Sequence, residues 1–542
     1  MVGPRFLLAL ALVTTSLVAS TLADDTLVQT KSGPVRGSRY KGTVSFLGIP
    51  FAKPPLNEYR FASPVPPEPW TEVLNATEFA PGCPQKCKLP TFMCPERESE
   101  DCLYLNVYIP DKSPPKEGWP VYVFIHGGSF TEGAGGCVAY NGMEFARAGE
   151  IVLVNMNYRL GALGWLSYKD EIKGNFGLQD QRLALQWVQD NIKLFGGNKD
   201  QVTVGGESAG AMSMISHLVS PLSKGLFHRA VIESGPLGLP FNQYGEDNKY
   251  YRQFVQNAGC MNAARVAECL RSQKLETLIE IQENITIIPL PKPIHYILPW
   301  MPTYGNDEIP FHPYLAYKNG NIESKVPLLA GSNKEDGRPF IYAAVDFQLD
   351  WAAYDLTLLA LFGTHTLRIA EMYTNYSNPE DNRIAMQQLA TDYLFTCSAR
   401  FVAQSYKRAG LPVFTYNFGY GFTSTFWGPY TFCCEGHSCH GVELPFVFDL
   451  FAEPSMSYMK RTKTDEYVGR NTQAYWIDFV KAKEINGSSV LSSGAAAGAP
   501  WTQFDDQMQQ WINITEDAPS MTGDFKKAEC DMWDQIGYLL WQ

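Results

Sequence analysis

Positive charge is short in this chain. Its 542 residues carry 44 Lys and Arg against 56 Asp and Glu, a net charge of −12, and the basic residues form no cluster. Nucleic acid and an anionic membrane surface are therefore poor partners. Long apolar runs are absent beyond residue 23, so no later stretch is suited to span a membrane. No Pro/Ser-rich linker, charge block or internal repeat divides the chain. Length alone would suggest three or four domains of about 150 residues. The missing punctuation argues instead for one large domain, with 45% apolar residues to fill its core. Histidine is scarce as well, at 8 residues, which makes any catalytic base a short search.

What is present first concerns the compartment. Arg5 precedes the apolar run Phe6-Leu7-Leu8-Ala9-Leu10-Ala11-Leu12-Val13, and Thr21 and Ala23 offer a small-residue cleavage site before Asp24. Residues 1–23 read as a signal peptide and 24–542 as the mature domain. The C-terminal Tyr538-Leu539-Leu540-Trp541-Gln542 carries neither an ER-retention tetrapeptide nor a GPI tail, so release from the cell or storage in a secretory compartment is expected. All 12 cysteines follow the signal, an even count suited to an oxidising compartment. The N-glycosylation sequons begin at Asn75, Asn284, Asn375, Asn486 and Asn513, which predicts glycosylated surface loops. Cys83, Cys87, Cys94 and Cys102 lack paired C-x-x-C knuckles, which favours disulfides over a metal site.

The chain is organised around Gly205-Gly206-Glu207-Ser208-Ala209-Gly210. Gln201-Val202-Thr203-Val204 before it reads as a strand, and 209–218 after it as a helix. A strand that turns sharply into a helix holds one residue in strain, and glycines two places either side of Ser208 let the arms approach. This is the nucleophile-elbow pattern G-x-S-x-G; a glycine-rich turn around a buried structural serine is the alternative. Val121–Ile125 and Ile151–Tyr158 are apolar runs suited to strands buried on both faces, and Leu178–Ile192 is apolar at helical spacing. Val231–Gly235 and Pro327–Ala330 are further strands, so the order is α/β. Around Gly48-Ile49-Pro50, the prolines exclude a helix and leave a rigid extended entry. His126-Gly127-Gly128 ends one strand, where unshielded backbone N–H groups can face a developing oxyanion; a flexible turn is the other reading.

Collinear motifs then identify a resemblance. Gly48-Ile49-Pro50, Glu100-Asp101-Cys102-Leu103-Tyr104-Leu105-Asn106, His126-Gly127-Gly128, Asn157-Tyr158-Arg159 and Gly206-Glu207-Ser208-Ala209-Gly210 resemble the type-B carboxylesterase/cholinesterase family of α/β-hydrolases. The likeness runs from about Gly33 almost to the end. It implies an α/β-hydrolase fold, a large mostly parallel central sheet flanked by helices, in a single domain with long loop and helical excursions.

It also implies a site. Ser208 matches the nucleophile, and His440, in His440-Gly441-Val442-Glu443-Leu444, matches the base better than its neighbour His437. The family usually carries D-E-G where this chain has Glu335-Asp336-Gly337, so the matching acid is Asp336, one methylene shorter, with Glu335 the alternative. Gly127, Gly128 and Ala209 would hold the oxyanion. A histidine base of ordinary pKa, about 6.5, predicts a rate that falls below about pH 6. The resemblance pairs Cys83 with Cys102, Cys260 with Cys269 and Cys397 with Cys530. Cys439 is expected to bridge to Cys433 or Cys434, leaving one of that pair for Cys137; a zinc cluster at 433–440 is the other reading. No metal or organic cofactor is implied. The expected function is a secreted serine ester hydrolase, a general carboxylesterase or lipase acting on a small-molecule ester or lipid, with oligomeric state open. A cholinesterase is disfavoured because the loop between Cys83 and Cys102 has no tryptophan and Phe92 is its only large aromatic ring. The alternative is an inactive adhesion or storage protein of the same fold.

Overall fold

A computed structural model describes residues 26–285, 294, 297–422, 425–456, 459–487, 489–491 and 498–540. The expected signal peptide lies outside the described residues. Eleven strands form one sheet: β1 (Ser38–Tyr40), β2 (Thr43–Pro50), β3 (Tyr104–Pro110), β4 (Trp119–Ile125), β5 (Val152–Met156), β6 (Gly197–Glu207), β7 (Arg229–Glu233), β8 (Leu328–Asn333), β9 (Val413–Phe418), β10 (Trp511–Ile514) and β11 (Ser520–Thr522). Their order across the sheet is β11-β10-β9-β8-β7-β6-β4-β5-β3-β2-β1. From β10 to β5 every pairing is parallel; both edges are antiparallel.

Alternation along each strand builds two cores. Val121, Val123 and Ile125 of β4 join Val152, Val154 and Met156 of β5 on one face. Tyr122 and Phe124 join Leu153, Leu329 and Phe414 on the other. Strands buried on both faces need helices on both, as all-parallel sheets do. The first face is covered by α1 (Phe176–Asn191) and α2 (Ala209–Val219). The second is covered by a helix at Lys463–Lys481, through Tyr475, Trp476 and Phe479.

The extended entry at residues 44–50 is strand β2, paired with β3 and broken by a register shift between Phe46 and Ile49. Pro50 closes the strand instead of interrupting it. Much of the motif sequence turns out to be buried hydrogen-bond scaffolding. Asn106 donates to Asn155 at 2.7 Å and accepts from the Gly48 N–H at 2.9 Å. Arg159 grips Asp180 through two bonds, at 2.8 and 2.7 Å, with both side chains buried.

Disulfides join Cys83–Cys102, Cys87–Cys94, Cys260–Cys269, Cys397–Cys530 and Cys434–Cys439. The suggested link from Cys137 to the leftover cysteine does not form: Cys137 and Cys433 are both free and buried. The Cys433 thiol is turned to the Tyr430 carbonyl, 3.3 Å away. Asn75, Asn284, Asn375 and Asn486 are exposed. Asn513 instead lies half-buried in β10, its side-chain oxygen accepting from Asn417 at 2.7 Å. Among the described residues, no helix is long and apolar enough to cross a membrane.

Backbone crowds backbone where β6 meets α2. A Cβ on Gly210 would stand 2.0 Å from the Ile125 carbonyl oxygen, and one on Gly206 2.5 Å from the Gly210 carbonyl. Both obstacles are backbone and cannot rotate away. Gly210→Ala is therefore expected to destabilise the protein by about 1–3 kcal/mol or more, the cost of overpacking a dense core. Gly487→Ala, with nothing within 4 Å, is the control. A thermal melt in which the two variants unfold together would contradict this account of the turn.

Candidate active site

Ser208 sits between β6 and α2 at φ 56°, ψ −119°, a conformation that costs a non-glycine residue of order 1–3 kcal/mol. Its N–H is anchored on the Glu233 carbonyl at 3.0 Å. A Cβ on Gly127 would lie 3.0 Å from the Ser208 Cβ, and Gly128, at φ +104°, lines the same pocket as Ser208. Ala209 is the first residue of α2, so its N–H has no partner within the helix. Gly127, Gly128 and Ala209 thus bracket the serine.

Asp336 and His440 come from loops after β8 and β9. His440 Nδ1 lies 2.8 Å from Asp336 Oδ1. The other Asp336 oxygen accepts from the Ser234 hydroxyl at 2.9 Å and the Asn333 N–H at 2.7 Å. Every partner of this buried carboxylate can donate. The two competitors pair with each other: Glu335 lies 3.0 Å from His437 Nδ1. Adjacent carboxylates thereby take two different histidines. The Glu335 N–H also bonds the Ser438 carbonyl at 2.9 Å, lacing the acid loop to the histidine loop.

His440 lines the same pocket as Ser208; its Nε2 is buried, with Glu207 Oε1 3.0 Å away and no hydrogen bond between them. Phe340 and Phe395 hold the imidazole from the sides, with ring centroids 5.0 and 4.9 Å from it. Phe395 is carried by a π-helical turn, Thr391–Thr396, of the wide kind that recurs at functional sites.

Close by are three buried glutamates, Glu207, Glu233 and Glu443, that sequence reasoning did not single out. Burial raises the Glu207 carboxyl to about 7, with His440 pulling down and Asp336 pushing up. Burial likewise raises Glu233 to about 8. Glu443 is pushed well above the usual range by burial and by Glu207, Glu233 and Asp336. Like charges this close cannot all ionise together. Asn333 ties the group down, donating to Glu443 at 2.5 Å and to the Cys439 carbonyl at 3.0 Å. For His440 itself, burial pulls the pKa down, but the charges of Glu207 and Asp336 and the Asp336 hydrogen bond outweigh it. The result is a pKa above the ordinary 6.5, not the unperturbed value expected from the sequence. Glu207 and Glu443 lie inside the serine and histidine motifs; their signal was a glutamate beside Ser208 and another three residues after His440.

The pocket is about 140 Å³ and mostly apolar, with Phe340, Trp427 and Tyr430 among its walls. Phe92 is not among them: it is buried in the second core. No group of three or more His, Cys, Asp or Glu suited to a metal occurs among the described residues. At 433–440, the zinc reading gives way to the Cys434–Cys439 disulfide.

The profile of the carboxylesterase family matches residues 24–533. The "Crystal protein" of Dictyostelium discoideum is 35% identical over 522 residues, 96% of this chain and 92% of that protein. The acetylcholinesterase of Bungarus fasciatus is 32% identical over 546 residues, 95% of this chain and 87% of the other. A solved PNB esterase superposes with a TM-score of 0.78 at 30% identity, covering 94% of this chain and 99% of its own. With this fold, this match along nearly its whole length and these relatives, the chain belongs to the carboxylesterase family of α/β-hydrolases.

Proposed function

We propose that this protein is a secreted, glycosylated serine carboxylic-ester hydrolase that acts on an apolar ester through an acyl-Ser208 intermediate. The observation that carries the reading is the union of a strained serine turn and an Asp336–His440 pair on one apolar pocket. His440 takes the Ser208 proton as the hydroxyl attacks the ester carbonyl. Asp336 holds the proton on Nδ1, so that Nε2 is free to act, and stabilises the imidazolium that forms. Aspartate reaches far enough for this despite its shorter side chain, since the contact is 2.8 Å. The N–H groups of Gly127, Gly128 and Ala209 receive the oxyanion, each such donor contributing about 3 kcal/mol in related sites. His440 returns its proton to the departing alcohol. It then draws a proton from water, which attacks the acyl-Ser208, and passes that proton to the Ser208 oxygen as the acid is released. The family match and the esterase names of relatives support the reaction class.

Ser208→Ala is expected to lower kcat/KM on a soluble ester to below about a thousandth of wild type, with the melting temperature preserved. Residual activity well above that level in folded protein would remove Ser208 from the role of nucleophile.

The raised pKa of His440 fixes the sign of the pH dependence. A base with a raised pKa is protonated, and lost, at higher pH, so the acid limb of kcat/KM is expected to have its midpoint above 6.5. Glu207→Gln removes a charge that raises this pKa and should move the limb to lower pH. A limb that stays in place or moves upward in the pH–rate profile would contradict the electrostatic account.

A further inference from the structure

The Cys83–Cys102 loop carries a second staple inside it. Cys87–Cys94 closes a ring with a sequence separation of 7 within an outer loop of 19. Three residues of the ring, Leu89, Pro90 and Met93, line the pocket that holds Ser208 and His440. Trp427 and Tyr430 line the same pocket, on a segment that packs beside the ring: a Cβ on Gly428 would lie 3.5 Å from the Pro90 Cα.

The ring is fixed from several directions. The Lys88 N–H donates to Glu132 at 2.5 Å, on the segment that continues from Gly127 and Gly128. The Lys88 ammonium meets Glu283 at 2.9 Å. Just before the ring, Gln85 exchanges two hydrogen bonds with the Gly133 backbone, at 2.9 and 2.7 Å. Phe92, in the middle of the ring, is sunk in the second core. A wall held by a disulfide, backbone hydrogen bonds and a buried aromatic ring cannot swing away as a free loop can.

We infer that the Cys87–Cys94 ring is the specificity wall of the enzyme and restricts it to esters whose acyl or alkoxy group is compact, a short aliphatic chain or a single aromatic ring. The inference rests on the ester-hydrolase reading above and narrows it, setting aside long-chain lipid esters. The size follows from the volume. A cavity of about 150 Å³ accepts a benzene molecule, and this pocket, at about 140 Å³, is close to that. With the wall fixed, a longer chain that runs toward it has to displace Leu89 or Met93.

The test is a set of p-nitrophenyl esters running from acetate through butyrate, hexanoate and octanoate to laurate, with a matching set of acetates of lengthening alcohols. Wild type is expected to hold kcat/KM up to about hexanoate size in at least one set, then to lose about tenfold or more per added step. Opening the ring with Cys87→Ser/Cys94→Ser should raise the octanoate-to-acetate ratio of kcat/KM about tenfold, and Met93→Ala should raise it in the same direction. If the cysteine variant does not fold, Met93→Ala and Leu89→Ala carry the test. A flat wild-type profile through laurate, or an unchanged ratio in every folded variant, overturns the inference and leaves the hydrolase reading standing. Failure of wild type to hydrolyse even the acetates overturns the hydrolase reading, and this inference with it.

Discussion

Ser208 can hold φ 56° and ψ −119° only because Gly206 and Gly210 carry no side chains. The last turn of β6, the first turn of α2 and the end of β4 all meet at that point, at distances no Cβ tolerates. The rest of the molecule over-determines the turn. β6 is held between β4 and β7 in the middle of the sheet, and every residue of α2 is buried. Strain of this kind persists only where the surroundings enforce it. The large double core is therefore the condition for placing one hydroxyl.

The second constraint is electrostatic. A half-buried imidazole shares its surroundings with Asp336, Glu207, Glu233 and Glu443, all at most 3% exposed. Burial disfavours charge on every one of them, so the group resolves into roles. Asp336 takes three donors and stands against Nδ1. The glutamates are lifted by their burial, Glu207 to about 7, Glu233 to about 8 and Glu443 well above the usual carboxylate range. Asn333, at the end of β8, links the two kinds by bonding both Asp336 and Glu443.

Legibility in the sequence followed the kind of force involved. Strands buried on both faces leave uninterrupted apolar runs, so β4, β5 and β7 could be read within two residues of their ends. β2 was harder, because Pro50, Pro54 and Pro55 exclude a helix without revealing that the segment pairs with β3. Ser208 was legible because its glycines are local. Choosing between Asp336 and Glu335, or His440 and His437, depended on a family pattern; the structure shows why neither rival is idle, since they bind each other. The buried glutamates were not legible, because nothing in sequence tells a carboxyl that it will lose its water. The free Cys137 and Cys433 are of the same kind: a pairing rule for an oxidising compartment says nothing about which way two thiols will point.

The central claim is that Ser208 is an activated nucleophile, and covalent labelling measures that directly. Folded protein treated with a fluorophosphonate at neutral pH, then digested and mapped by mass spectrometry, is predicted to carry one adduct, on the peptide containing Ser208. Prior denaturation should abolish it, because the activation belongs to the assembled Asp336–His440 pair. An unlabelled Ser208 in folded protein would contradict the account and favour an inactive adhesion or storage protein built on the same fold.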